Sequence, residues 1–199
     1  MEIQAALFDW DGFLLDSEAA CLTAHNVVVR ECGLPELTAE QYRRRPNNTI
    51  EWYRSSGIHL PTEEIYRLFF ANFDISQCGL VSGARELLTN LVDRKVHIAI
   101  VSAHPANEIE QRLSEFGIRD VFRQVYGDAR NGKRDAILEV CGRLEVLPHN
   151  TLFGDDMPGG VADGKAAGVR TVLYAPSDYP NEHVADHHVS DLRHILALL

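Results

Sequence analysis

Asp9 and Asp11 stand two residues apart in Asp9-Trp10-Asp11-Gly12, directly after the apolar run Ile3 to Phe8. Ser102-Ala103-His104 follows a second apolar run, Val96 to Val101, and Asp155-Asp156 follows Gly154 and a third, Thr151 to Phe153. Gly132-Lys133 stands just before a stretch with helical spacing. Carboxylates gathered in one place repel and shift one another's pKa unless a cation sits among them. A hard cation with oxygen ligands, such as Mg²⁺, meets that need and commonly takes substrate phosphate oxygens as well. Ser102 and Lys133 would bring a hydroxyl donor and a positive charge to the same phosphate. Gly12 lets the backbone bend sharply and come close to the ligand.

Such groups act together only if the fold brings them to one edge. The apolar runs Ile3–Phe8, Val96–Val101, Arg123–Tyr126, Thr151–Phe153 and Arg170–Tyr174 read as short buried strands. Runs of this kind suit a parallel sheet covered on both faces. Between them lie helical stripes: Leu87, Leu88, Leu91 and Val92, then Ile109, Leu113 and Phe116, then Ile137, Cys141 and Leu144. Pro105 suits a first helical turn. Strand and helix in alternation predict an α/β fold, a doubly wound parallel sheet. Ligand sites in such sheets lie at the carboxyl ends of the strands, where the candidate residues stand.

Residues 16–79 break that rhythm. A helix is expected from Ser17, its N-cap, to near Gly33. Thr38-x-x-Gln41 reads as a capping box, and Glu63 to Phe73 as an amphipathic helix. The expected organisation is a core of residues 1–15 and 80–199 with a small helical cap, 16–79, inserted in it.

The 199 residues carry 19 basic and 29 acidic side chains, a formal net charge of −10. With 45% hydrophobic and 24% charged residues, the composition excludes a disordered chain, a collagen-like fibre and a small disulfide scaffold. The acidic balance speaks against nucleic-acid and membrane-surface partners. An anionic substrate then needs a locally positive site. Cys21, Cys32, Cys78 and Cys141 have neither zinc nor CxxC spacing and are expected to be buried thiols. MEIQAALFDWDG has no signal-peptide pattern and no apolar run approaches a membrane span, so a cytoplasmic location is expected.

Taken together, DWDGFLLDSE, IVSAHP, GKRDAI and FGDDMPGGVADGKAAGV resemble, in order, the four motifs of the haloacid dehalogenase superfamily of phosphohydrolases. The resemblance is to the small-helical-cap subfamily that includes β-phosphoglucomutase-like and phosphoglycolate phosphatase-like enzymes, and it covers essentially the whole chain. It implies a Rossmann-like core of the superfamily's type and a Mg²⁺-dependent phosphatase of small phosphate esters. Asp9 would be the nucleophile and Asp11 the acid and base for the leaving alcohol and the water. Ser102, Lys133 and Gly12 would bind the substrate phosphate. Mg²⁺ would be held by Asp9, the Asp11 backbone carbonyl, Asp155 and Asp156. Two departures stand out. The third motif lacks the common KPxP form, and Gly159 and Gly160 occupy positions where many members carry a second Asp.

Arg43, Arg44, Arg45 and His104 are the candidate specificity residues, with His104 placed to touch a leaving group. Asn47, Asn48, Thr49 and Trp52 are candidates for an entrance, Trp52 reading better as core. The pair His187-His188 reads as surface. An acid at position 11 favours phosphate esters over carbon–halogen substrates. A sugar phosphomutase is the nearest alternative, but the His typical of that branch is replaced by Cys21, with His25 the nearest histidine. A non-catalytic binding protein is a second alternative, opposed by the completeness of the motif set.

Overall fold

A computed structural model of the chain describes residues 2–43, 49–175 and 184–199. The chain divides into two compact units, Met1–Leu15 with Leu80–Leu199, and Asp16–Gly79.

The larger unit is built on β1 (Ala5–Phe8), β2 (His97–Val101), β3 (Gln124–Tyr126), β4 (Thr151–Asp155), β5 (Arg170–Tyr174) and β6 (His187–Val189). They form one sheet in the order β3-β2-β1-β4-β5-β6, and every neighbouring pair is parallel. The smaller unit holds α1 (Glu18–Glu31), α2 (Ala39–Arg43), α3 (Thr49–Ser55) and α4 (Thr62–Asn72). Between the strands of the sheet run α5 (Ala84–Asp93), α6 (Ala106–Glu115), α7 (Arg134–Arg143) and α8 (Pro158–Ala167). The chain is thus an α/β protein built on a parallel sheet, as expected. No described helix is long and apolar enough to cross a membrane.

The four residues of β1 are fully buried. That is the signature of a central parallel strand covered on both faces. Alternate residues share a face, so Ala5 and Leu7 join Ala99, Val101 and Phe153 in one cluster with Ile137, Val140 and Cys141 of α7. This packing fixes α7 against the sheet and sets where its first turn begins. In α5 the buried stripe is Ala84, Leu87, Leu88 and Leu91. Val92, expected in that stripe, lies at its edge and is 47% exposed.

The smaller unit has its own core of Val28, Val29, Tyr53, Ile58 and Ile65, against which Trp52, Leu68 and Phe69 pack half-buried. The capping box at α2 is formed: the Thr38 N–H donates to Gln41 Oε1 at 2.8 Å, and the Gln41 N–H to Thr38 Oγ1 at 3.2 Å. Ser17 stands at the N-cap position of α1.

The structure departs from the sequence expectation in several places. α3 and the edge strand β6 were not foreseen. β6 has only three residues, and it contains the His187-His188 pair, with His187 half-buried and His188 exposed. Pro105 is the N-cap of α6 rather than a first-turn residue. Of the four thiols, Cys21 and Cys141 are buried, whereas Cys32 and Cys78 are half-buried.

Candidate active site

Strand register brings the carboxylates together. Phe8 pairs with Gly154 across β1 and β4, and the Asp9 N–H continues the ladder by donating to the Gly154 carbonyl at 2.9 Å. Asp9 therefore leaves β1 level with Asp155, the last residue of β4. One carboxylate oxygen from each of Asp9, Asp155 and Asp156 lies within 4.8 Å of the others. Asp155 is fully buried and Asp9 is 6% exposed. Oδ1 of Asp9 is buried with no hydrogen-bond partner among the described residues. An unsatisfied buried carboxylate oxygen costs free energy that a cation would recover. The donor set, all hard oxygens, fits Mg²⁺.

Two glycines make this cluster sterically feasible. Gly12 has φ 76°, and a Cβ there would stand 2.2 Å from Asp156 Oδ2. The Gly12 N–H donates to the Leu15 carbonyl at 2.9 Å. Gly12 contributes a turn conformation and room for Asp156. A Cβ at Gly160 would fall 1.8 Å from Asp155 Oδ2. A glycine here lets the first turn of α8 pass beside Asp155.

Lys133, the N-cap of α7, supplies the counter-charge. Its Nζ lies 2.8 Å from Asp9 Oδ2 and 2.7 Å from Asp155 Oδ2. Burial works against the ammonium charge, but Asp155 and Asp9 outweigh it and hold the lysine pKa above its ordinary value. Asp155 moves the other way. Burial, with the Asp9 charge adding to it, pushes its carboxyl up to about 7, against the pull of Lys133 and of the Met157 N–H. One ammonium is shared between two carboxylates, so Lys133 gains from both while Asp155 still faces Asp9. This leaves a surplus of negative charge that a divalent ion would balance.

Asp11 belongs to a different arrangement. Its Oδ2 is 2.9 Å from His104 Nδ1, and His104 Nε2 is 3.2 Å from Glu108 Oε2. Burial lowers the imidazole's affinity for a proton, but the two carboxylates outweigh burial and raise its pKa. Ser102, buried at the end of β2, accepts the His104 backbone N–H on Oγ at 3.3 Å.

The structure thus gathers Asp9, Asp155, Asp156 and Lys133 directly, and links Asp11 to Ser102 through His104. His104, grouped by sequence with the cap arginines, lies in the larger unit with its side chain fully buried. Arg43 forks onto Glu18 within the smaller unit, with Nε at 3.0 and 3.1 Å from its two oxygens. Arg44, Arg45, Asn47 and Asn48 lie outside the described residues. Asp163 was missed: its Oδ2 accepts the Lys133 backbone N–H at 2.6 Å and anchors the start of α7 where the KPxP form is absent. Glu108 was missed as well: it stands in the first turn of α6, whereas His104 precedes that helix.

Comparison with known proteins identifies the family. A family model, haloacid dehalogenase-like hydrolase, matches residues 6–174. Phosphorylated carbohydrates phosphatase of Thermotoga maritima is 26% identical, covering 85% of this chain and 84% of its own. N-acetylmuramic acid 6-phosphate phosphatase of Pseudomonas putida is 27% identical, covering 98% of this chain and 97% of its own. A haloacid dehalogenase-like family hydrolase from Streptococcus pneumoniae superposes with a TM-score of 0.78 at 18% identity, covering 98% of both chains. The chain belongs to the haloacid dehalogenase-like hydrolase family. As an enzyme it is a phosphatase, a phosphomonoester hydrolase of that family.

Proposed function

We propose that this phosphatase hydrolyses a small phosphorylated metabolite, of the sugar phosphate or phosphoglycolate class, with Mg²⁺ and through an aspartyl-phosphate on Asp9. The observation that carries the reading is the ion pair of Lys133 with Asp9 and Asp155 beside Asp156. It combines a carboxylate nucleophile, a cation for the phosphoryl group and a set of oxygens for a metal. Two relatives whose names specify phosphorylated sugars support the substrate class.

In the first step an Asp9 carboxylate oxygen attacks phosphorus and the ester P–O bond breaks, while Asp11 gives its proton to the departing alkoxide. Lys133 and the Ser102 hydroxyl hold phosphoryl oxygens as charge shifts among them. In the second step Asp11, now a carboxylate, takes a proton from water, which attacks phosphorus and returns Asp9 to its starting form. The carboxylates of Asp9, Asp155 and Asp156 and the Asp11 carbonyl would hold Mg²⁺, which would supply charge neutralisation to the phosphoryl group. The helical unit of residues 16–79 serves as a cap that selects the rest of the substrate, with Arg43, Arg44 and Arg45 as its candidate contacts.

The test is phosphate release from p-nitrophenyl phosphate and a panel of sugar phosphates and phosphoglycolate, with Mg²⁺ and with chelator. Metal-dependent turnover in the native protein, lost on the order of 10⁴-fold in Asp9→Asn, is expected. Turnover that survives in the variant would sink the reading. Glucose 1-phosphate with a bisphosphate primer separates the hydrolase from a mutase: free phosphate is expected, and glucose 6-phosphate would contradict it.

A further inference from the structure

The proposed scheme leaves His104 without a role, yet its side chain is buried and engaged at both ring nitrogens. Its ring is fully buried, with Nδ1 2.9 Å from Asp11 Oδ2 and Nε2 3.2 Å from Glu108 Oε2. Its backbone N–H reaches Ser102 Oγ at 3.3 Å, and its carbonyl accepts the Asp128 N–H at 2.9 Å. Both ring nitrogens face carboxylates, so the imidazole is engaged on each side and held in one orientation. Asp11 differs from it in being 21% exposed at the side chain.

A carboxyl group turns easily about its last torsion, which is broad and two-fold. Proton transfer needs that carboxyl within hydrogen-bond reach of the leaving oxygen, and a small misplacement is costly. We propose that His104 is a positioning residue for proton transfer at Asp11: its Nδ1–H fixes the Asp11 carboxyl, and Glu108 orients the ring from the first turn of α6. The inference rests on the reading of Asp11 as acid and base. It also joins two strand ends, since the residue that fixes Asp11 after β1 donates its backbone N–H to Ser102 after β2.

The consequence is specific to leaving-group chemistry. A leaving group that departs readily as an anion needs little help from an acid, and a poor one needs it fully. Values of kcat/KM, which report the first bond-breaking step, are measured on 2,4-dinitrophenyl, p-nitrophenyl and phenyl phosphate. The proteins compared are the native enzyme, His104→Ala, His104→Asn, His104→Gln, Glu108→Gln and Asp11→Asn. His104→Ala is expected to lose at least about tenfold more on phenyl phosphate than on the dinitrophenyl ester. His104→Asn places an amide N–H near the Nδ1 position and recovers much of that loss, whereas His104→Gln does not. Glu108→Gln shows the same trend, smaller.

An equal loss across the three esters in His104→Ala, with a graded loss in Asp11→Asn, overturns the role of His104 and leaves Asp11 as the acid. A uniform loss in Asp11→Asn overturns the reading of Asp11 and the inference with it. If His104→Ala does not fold, the Asn and Gln variants decide: equal behaviour across the series contradicts the proposal, and selective recovery by Asn supports it. Inhibition by inorganic phosphate should be unchanged in His104→Asn, since phosphate binding does not use the Asp11 proton.

Discussion

Lys133 Nζ lies 2.8 Å from Asp9 Oδ2, so the ammonium at the start of α7 is paired with the carboxylate that leaves β1. The same nitrogen reaches Asp155 Oδ2 at 2.7 Å. Removing the cation would leave two buried carboxylates facing each other. Lys133→Met is expected to lower stability by about 3 kcal/mol, as breaking a buried pair does. Urea unfolding in chelator measures this, and added Mg²⁺ should restore part of the loss. An unchanged midpoint in chelator would show that the pair contributes nothing.

Asp155 gives the metal-free protein a particular pH dependence. Its carboxyl is held at about 7 by burial and the Asp9 charge, against an ordinary value near ~3.9 in the unfolded chain. An acid whose folded pKa is raised contributes stability that is fully present below the unfolded value and lost as pH rises through the folded one. Stability in chelator should therefore fall between about pH 4 and pH 7. Asp155→Asn should flatten that limb, and saturating Mg²⁺ should flatten it in the native protein, because a bound cation favours the ionised carboxylate. Unfolding free energy measured against pH decides it, and a limb of the same slope in Asp155→Asn would contradict the assignment.

The glycine contacts predict steep steric costs. Gly160→Ala would place a methyl group 1.8 Å from Asp155 Oδ2, and Gly12→Ala 2.2 Å from Asp156 Oδ2 at a φ of 76°. Each is expected to cost about 1–3 kcal/mol, as overpacking does, and to weaken metal binding by displacing a carboxylate. Thermal unfolding and calorimetric titration with Mg²⁺ measure the two effects. A Gly160→Ala protein with native metal affinity would argue that the Asp155 side chain has no part in the metal site.

Asp155→Asn and Asp156→Asn should each weaken Mg²⁺ binding by at least about tenfold. Among the described residues, the pair and Asp9 form the carboxylate cluster able to hold a metal. Calorimetric titration of both variants checks it, and native affinity in both would remove them from the metal site.

Much of this was readable in the chain. Asp9, Ser102 and Asp155 each stand at the end of an apolar run, and a parallel sheet brings such ends to one edge. Lys133 was readable from the helical stripe that follows it. The contact between His104 and Asp11 was not, because it joins residues after different strands and depends on how the turn before α6 closes. Asp163 was hidden for the same reason, since it reaches Lys133 from α8. β6 and α3 escaped because His187-His188-Val189 and Thr49–Ser55 are too short to show a period. Val92 shows the limit of periodicity from the opposite side. It fits the stripe of α5 by spacing, yet sits at the edge of the buried face.

The central claim is that Asp9 carries the phosphoryl group between the two steps. Borohydride reduces an acyl-phosphate to the alcohol, so quenching the enzyme with it during turnover of p-nitrophenyl phosphate marks the residue that was phosphorylated. Peptide mass spectrometry should find homoserine at position 9, dependent on substrate and Mg²⁺. Steady turnover with Asp9 unmodified, or with the mark on another residue, would contradict the account.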